Sequence, residues 1–138
     1  MKVLLLIFAA LVSLTAFAQD EAPVSYKGKG KVYIFGVSQE LTDSVVYITT
    51  INEVDSVDIE KKTKFLPNRA LFSYQLENYV ESKLGRPNQT ACVFFSAKKQ
   101  KMSKKLYKIK KHYLDNPNKK IIIIDENKFR FNHPLDIE

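Results

Sequence analysis

Two apolar stretches separated by polar residues open the predicted domain. Residues 32–37 and 45–51 are rich in β-branched and aromatic side chains, which favour strands. The polar connection between them is too short for the crossover that a parallel pair requires, so we expect an antiparallel hairpin. The polar segment 52–64 contains three apolar residues, and its pattern also allows one short extra strand.

The first amphipathic helix is predicted after Pro67, with Asn68 in the N-cap position. Gly85 and Pro87 end it in the order typical of helix C-termini. Its apolar residues recur three and four positions apart, as expected for one helix face: Phe72, Leu76, Tyr79 and Val80.

A second helix is predicted between the apolar stretches 90–95 and 121–124. Its narrow apolar stripe consists of Met102, Leu106, Ile109 and Tyr113. Both flanking stretches lack alternation, which is typical of strands covered on both faces. We therefore expect buried strands there, with Cys92 as a small apolar core residue. Phe129 and Phe131 alternate with a charged residue, which indicates a short final strand before a polar tail.

The predicted element order is β-β-α-β-α-β. Because each helix lies between strands, we expect strand–helix–strand crossovers and a single small layered α/β domain with a mixed sheet and two helices. The domain is assigned to residues 31–138, after a flexible lead-in at residues 19–30 that contains alternating Gly and Lys. The pattern does not decide whether the helices share one sheet face.

The N-terminus has the three-part layout of a secretory signal peptide. Lys2 precedes an apolar run that closes on small residues, and cleavage is predicted after Ala18, so that residues 1–18 are removed. An uncleaved membrane anchor is the alternative, although the run is short for a membrane span. No second long apolar run follows. We therefore expect an exported, periplasmic or extracellular protein with no membrane span after cleavage.

Positive charge is concentrated in the last third of the chain. Residues 98–138 contain twelve Lys or Arg against five Asp or Glu, whereas residues 19–97 contain nine against ten. The predicted second helix alone carries eight lysines between Lys98 and Lys111, with no acidic residue among them. Five of these share the side opposite the apolar stripe: Lys101, Lys104, Lys105, Lys108 and Lys111.

Like charges at these spacings repel one another, and a polyanion bound along the helix would relieve that repulsion. In an exported protein the partner would be lipopolysaccharide, anionic lipid or an acidic glycan. Nucleic acid is not expected, because few aromatic residues are interleaved with the lysines. A solvated lysine face is the simpler interpretation. A third is neutralisation by a neighbouring acidic segment of the chain: Glu53, Asp55, Asp58 and Glu60.

Residues that could support catalysis form no recognisable pattern. Cys92, His112 and His133 lack the spacing of a zinc site, and the acidic segment lacks the glycine of a calcium loop. No nucleophile-elbow motif is present, so no cofactor, metal or catalytic residue is assigned. We therefore favour a non-enzymatic binding module. A small extracytoplasmic enzyme and an envelope-assembly subunit are the alternatives.

Segments 32–38 and 43–49 resemble small exported proteins of Bacteroidota, and the similarity continues through residues 72–76 and 93–95. No activity is established for those proteins, so the resemblance implies no functional residue. It does imply a modification, since Bacteroidota O-glycosylate exported proteins at Asp-Ser or Asp-Thr followed by a small apolar residue. Ser44 and Ser56 occupy such tripeptides and are candidate glycan sites; chance occurrence is the alternative.

Overall fold

The computed structural model describes residues 27–136, which form five strands, two helices and a final 3-10 turn at Pro134–Asp136. The predicted signal peptide and its cleavage site lie outside these residues. The predicted α/β class, element order and mixed sheet are confirmed, and the short extra strand is present. The strands are β1 (Lys31–Gln39), β2 (Val45–Thr49), β3 (Asn52–Asp55), β4 (Thr90–Ser96) and β5 (Lys120–Ile124), and the helices are α1 (Arg69–Ser82) and α2 (Lys99–Leu114).

Strand β1 lies at the centre of the sheet. On one side it pairs antiparallel with β4 along seven consecutive positions, from Tyr33 opposite Ser96 to Gln39 opposite Thr90. On the other side its two halves pair antiparallel with β2 and β3. Strand β5 then pairs parallel with β2. The order across the sheet is therefore β4, β1, β2 with β3, and β5. Strands β4 and β5 are the outer strands, and the short strand β3 pairs only with β1 among the described residues.

Between β2 and β3 the register along β1 slips by one residue, as in a β-bulge. Side chains satisfy the backbone groups around this slip. The Gly36 amide donates to Thr49 Oγ1 at 2.9 Å, and the fully buried Asn52 donates from Nδ2 to the Thr50 carbonyl at 3.1 Å. Asn52 Oδ1 also accepts the Phe131 amide at 2.8 Å, which fixes the C-terminal segment against the sheet.

The two helices pack on opposite faces of the sheet. Val32 and Ile34 of β1 belong to the core beneath α1, whereas Phe35 and Val37 belong to the core beneath α2. The connection through α1 leads to one outer strand, and the connection through α2 leads back across the sheet to the other. Crossovers of the same hand that run in opposite directions place their helices on opposite faces.

Gly36 is required for close packing at the centre of β1. A Cβ atom there would lie 2.5 Å from Leu76 Cδ2 and 3.0 Å from Phe131 Cζ. Both α1 and the C-terminal segment therefore approach the β1 backbone more closely than any other residue would permit.

The predicted final strand is wrong, although its aromatic residues are core residues. Phe129 and Phe131 are buried beside α1, but their segment forms no strand because the Phe131 amide bonds to a side chain. The predicted polar tail is also packed. His133 is buried, and its Nε2 lies 3.0 Å from the Ser56 carbonyl oxygen.

The prediction that the strands after each helix are covered on both faces is wrong. In β4, Val93 is buried but Cys92 is exposed, so Cys92 is not a core residue. In β5, Ile124 is buried whereas Ile123 is 40% exposed. Both strands lie at the edges of the sheet, where a single helix cannot cover every apolar side chain.

The two ends of α1 differ from each other in how they are closed. Asn68 occupies the N-cap position, but its backbone is left-handed (φ 60°) and its side chain makes no capping bond to the described residues. Gly85 closes the other end as predicted, with φ +67°.

The last residues of the predicted lead-in are held in place by hydrogen bonds. The Gly28 amide donates to the Ser56 carbonyl at 2.8 Å, and the Gly30 amide donates to Asp58 Oδ1 at 2.6 Å.

Candidate binding surface on helix α2

The apolar stripe of α2 fixes the helix rotation. Met102 is buried against the sheet, and the three other predicted stripe residues pack partly buried around it: Leu106, Ile109 and Tyr113. Since apolar residues three and four positions apart anchor one side of the helix, the opposite side faces solvent.

The five lysines predicted to form a contact surface are all exposed: Lys101, Lys104, Lys105, Lys108 and Lys111. We call this group the lysine face. Within residues 27–136, none of the five forms a salt bridge with a carboxylate. The first turn of α2 contains no acidic residue either. The charge of the lysine face is therefore left to solvent or to a partner.

Two residues of the nearby acidic segment, Glu53 and Asp58, make contacts elsewhere. Glu53 pairs with Lys31 at 2.5 Å, and this hydrogen-bonded ion pair lowers the pKa of Glu53 and raises that of Lys31. Asp58 accepts the backbone amides of Lys29 and Gly30. Within residues 27–136, no salt bridge joins the acidic segment to the lysine face. Neutralisation by this segment at longer range stays a prediction.

The lysine face has two margins, because α2 lies beside the outer strand β4. Lys101 and Lys105 line a hollow with Phe94, and the Lys105 Nζ lies 5.5 Å from the centre of the Phe94 ring. Lys104 and Lys111 lie on the side of the helix away from this strand, as the angle of 100° per residue requires. One margin therefore borders the sheet, and the other is surrounded by solvent.

A cleft of about 930 Å³ extends the positive surface beyond the start of α2. It separates the loop after β3 from the first turn of the helix. Asp58 and Glu60 also line it, but lysines outnumber them: Lys31, Lys61, Lys64, Lys98 and Lys101. Sequence analysis did not identify this cleft, because Lys61 and Lys64 are far from α2 along the chain.

A second cleft, of about 450 Å³, lies between β4 and the C-terminal half of α2. Its walls are mainly apolar, and Cys92, Lys108 and His112 also line it. A thiol and an imidazole in one cleft have the composition of a nucleophile–base pair. However, no hydrogen bond joins Cys92 and His112 in the structure described for residues 27–136. Because the sequence pattern predicts a buried Cys92, it does not indicate a cleft at this position.

The two candidate glycan sites differ in accessibility. Ser44 is exposed in the loop between β1 and β2. Ser56 directly follows β3 and is only partly exposed, with a left-handed backbone (φ 64°). Its carbonyl oxygen contacts His133 and Gly28, so the backbone at Ser56 is fixed.

Two further features are absent from residues 27–136. No group of three or more His, Cys, Asp or Glu side chains is placed to hold a metal ion. No helix in this part of the chain is long and apolar enough to cross a membrane.

Comparisons of the chain with models of protein families, with curated proteins and with solved structures find no match.

Proposed function

We propose that this protein is an exported, non-enzymatic binding module whose lysine face contacts an anionic component of the cell envelope. The ligand class is a polyanion: lipopolysaccharide phosphates, anionic lipid head groups or an acidic glycan. The observation that carries the proposal is that five exposed lysines share one side of α2, while none forms a salt bridge within residues 27–136.

The spacing of these lysines suits a ligand with repeated negative charges. Lys101 and Lys111 are separated by ten residues, which corresponds to about 15 Å along a helix. A ligand with charges roughly every 5 Å would meet one lysine per turn. Its binding would replace repulsion among the lysines with attraction and would release counterions.

The residue type also suits this class of ligand. Lysine presents a compact point charge on a flexible stem, whereas arginine presents a rigid planar fork. All eight basic residues from Lys98 to Lys111 are lysines, and none is arginine. Such a surface suits a ligand that is recognised by its density of negative charge, and not one that is recognised by precise hydrogen-bond geometry. The cleft at the start of α2 continues the same surface through Lys98 and Lys101.

The test is retention of the protein on immobilised heparin and on lipopolysaccharide across a salt series. A triple variant, Lys104→Glu, Lys105→Glu and Lys108→Glu, removes the centre of the lysine face. A matched variant, Lys62→Glu, Lys83→Glu and Lys128→Glu, makes the same change in net charge at exposed positions on other elements.

The unmodified protein should bind with a steep salt dependence. The slope of log affinity against log salt should fall by about three in the α2 variant, one for each lost contact. The matched variant should keep most of the affinity. Equal elution of the unmodified protein and the α2 variant would show that the lysine face is merely solvated, and an equal loss in both triple variants would show that only net charge matters.

The proposal also includes export by cleavage after Ala18 and O-glycosylation at Ser44 and Ser56. The exposure of Ser44 supports it as the better acceptor of the two. The intact mass of protein purified from its native host tests both ideas together. A mature chain beginning at Gln19 and carrying added mass that Ser44→Ala reduces would agree with them. A mass equal to the bare mature chain would reject glycosylation.

A further inference from the structure

The outer edge of β4 has no strand beside it. Within residues 27–136, β4 pairs only with β1. Apart from that ladder, no backbone–backbone hydrogen bond in this part of the chain involves Thr90–Ser96. The amide and carbonyl groups on the outward side of β4 are therefore free to pair with another extended chain.

Other sheet edges in the described chain carry features that hinder pairing with a further strand, whereas β4 lacks them. Strand β5 begins with a charged residue, Lys120, and further charged residues adjoin its two ends: Lys119, Asp125 and Glu126. The C-terminal segment covers β3, since Arg130 donates to the Glu53 carbonyl at 2.9 Å. In contrast, β4 contains no charged residue and no proline, and it pairs with β1 in unbroken register without a bulge. Charged residues, proline, bulges and covering segments are the features by which natural proteins block the pairing of sheet edges.

Positive side chains border the free edge on both faces of the sheet. A hollow of about 400 Å³ straddles the edge, with Arg69 on the α1 side and Lys101 and Lys105 on the α2 side. Further along β4, Lys108 lines the neighbouring cleft. No Asp or Glu lines either cavity among the described residues.

We infer that β4 accepts an extended, acidic polypeptide segment as an additional strand of the sheet. The main chain of this segment pairs with Thr90–Ser96, and every second side chain lies on the α2 face beside the row formed by Lys101, Lys105 and Lys108. Alternate residues of a strand repeat about every 6.7 Å and helix turns about every 5.4 Å, so a few consecutive carboxylates can each meet one cation. This is the strand-addition mode of peptide recognition.

A second copy of the chain fits this edge poorly. Symmetric pairing of two β4 strands would bring the row of cations on one copy close to the row on the other. The formal net charge of +7 per chain adds to that repulsion. The charge at the edge therefore favours an acidic partner over self-association.

The experiment measures binding of a fluorescent peptide that alternates Glu and Val. Two matched peptides carry N-methyl groups on the amides of one edge or of the other, and a third replaces Glu with Lys. The Glu-Val peptide should bind and should slow amide hydrogen exchange at Thr90–Ser96. N-methylation of the pairing edge should weaken binding by at least about tenfold, because ladder hydrogen bonds are lost. N-methylation of the other edge should have little effect, and the Lys peptide should not bind.

Protein variants separate this inference from the proposed polyanion contact. Cys92→Glu adds a negative charge beside the edge and should abolish peptide binding, whereas Cys92→Ser should retain it. Lys104→Glu with Lys111→Glu lies on the far margin of α2 and should lower heparin retention while leaving peptide binding intact.

Equal binding of both N-methylated peptides would show that charge alone attracts the peptide and would overturn the inference. A dimer that Cys92→Glu dissociates would assign the edge to a second copy, and would overturn it equally.

Discussion

The two faces of the sheet differ in how completely the apolar side chains of their helices are buried. In α1, Phe72, Leu76 and Val80 are completely buried. In α2, whose residues the structure describes in full, only Met102 is buried. The loop after β3 and the C-terminal segment add further cover on the α1 side, but nothing comparable supports α2 among the described residues. This difference indicates that the α1 face supplies most of the stability, while the α2 face keeps its side chains available for contacts.

The largest expected effect tests this division directly. Phe72→Ala should lower the free energy of unfolding by about 3–5 kcal/mol, because it leaves a cavity in the dense core. Leu106→Ala on α2 should cost less, about 2 kcal/mol or below, since that side chain is only partly buried. Urea denaturation measures both values. Equal losses would contradict the proposed division between the faces.

Gly36→Ala should lower the free energy of unfolding by about 1–3 kcal/mol, because the new methyl group collides with Leu76 and Phe131. Ala has the higher intrinsic preference for a strand, so a stabilised protein would show that the α1 face can relax. Pairing the change with Leu76→Ala provides the control. The double variant should lose less stability than the sum of the two single variants.

The lysine face should itself be slightly destabilising. Lys104→Gln with Lys108→Gln removes a repulsion at i and i+4 and should raise the free energy of unfolding by about 0.2–0.5 kcal/mol at low salt. The gain should vanish at high salt, where the charges are screened. Lys62→Gln with Lys128→Gln serves as the control on other elements. A loss of stability at low salt would mean that the lysines have stabilising contacts.

The smallest expected effect concerns the Lys31–Glu53 pair. Because the pair lowers the pKa of Glu53 below its ordinary value of 4.5, its contribution to stability is present above that pH and is lost as the pH falls through the lowered pKa. The raised pKa of Lys31 makes the same contribution disappear at strongly alkaline pH. Glu53→Gln should therefore flatten the acid limb of stability measured against pH. An unchanged acid limb would show that solvent screens the pair completely.

Local patterns predicted the elements well, because periodicity and helix-ending residues act over a few positions. The stripes at Phe72 and Met102 and the stop at Gly85 are examples. The predictions failed where residues distant in the chain decide the outcome. Cys92 is exposed because β4 became an outer strand, and His133 is buried because Ser56 lies beside it. The lysine face was predictable from spacing, but its position beside a free strand edge required the topology.

The C-terminal segment completes a core that begins about a hundred residues earlier. Phe131 is 1% exposed, lies against the position of Gly36, and bonds to Asn52 across 79 positions of sequence. The α1 core therefore cannot close until Phe131 is present, and such distant contacts slow folding. Under the export that we propose, this order of events is useful. The exported chain would remain extended during its synthesis and would become compact only after Phe131 had been added.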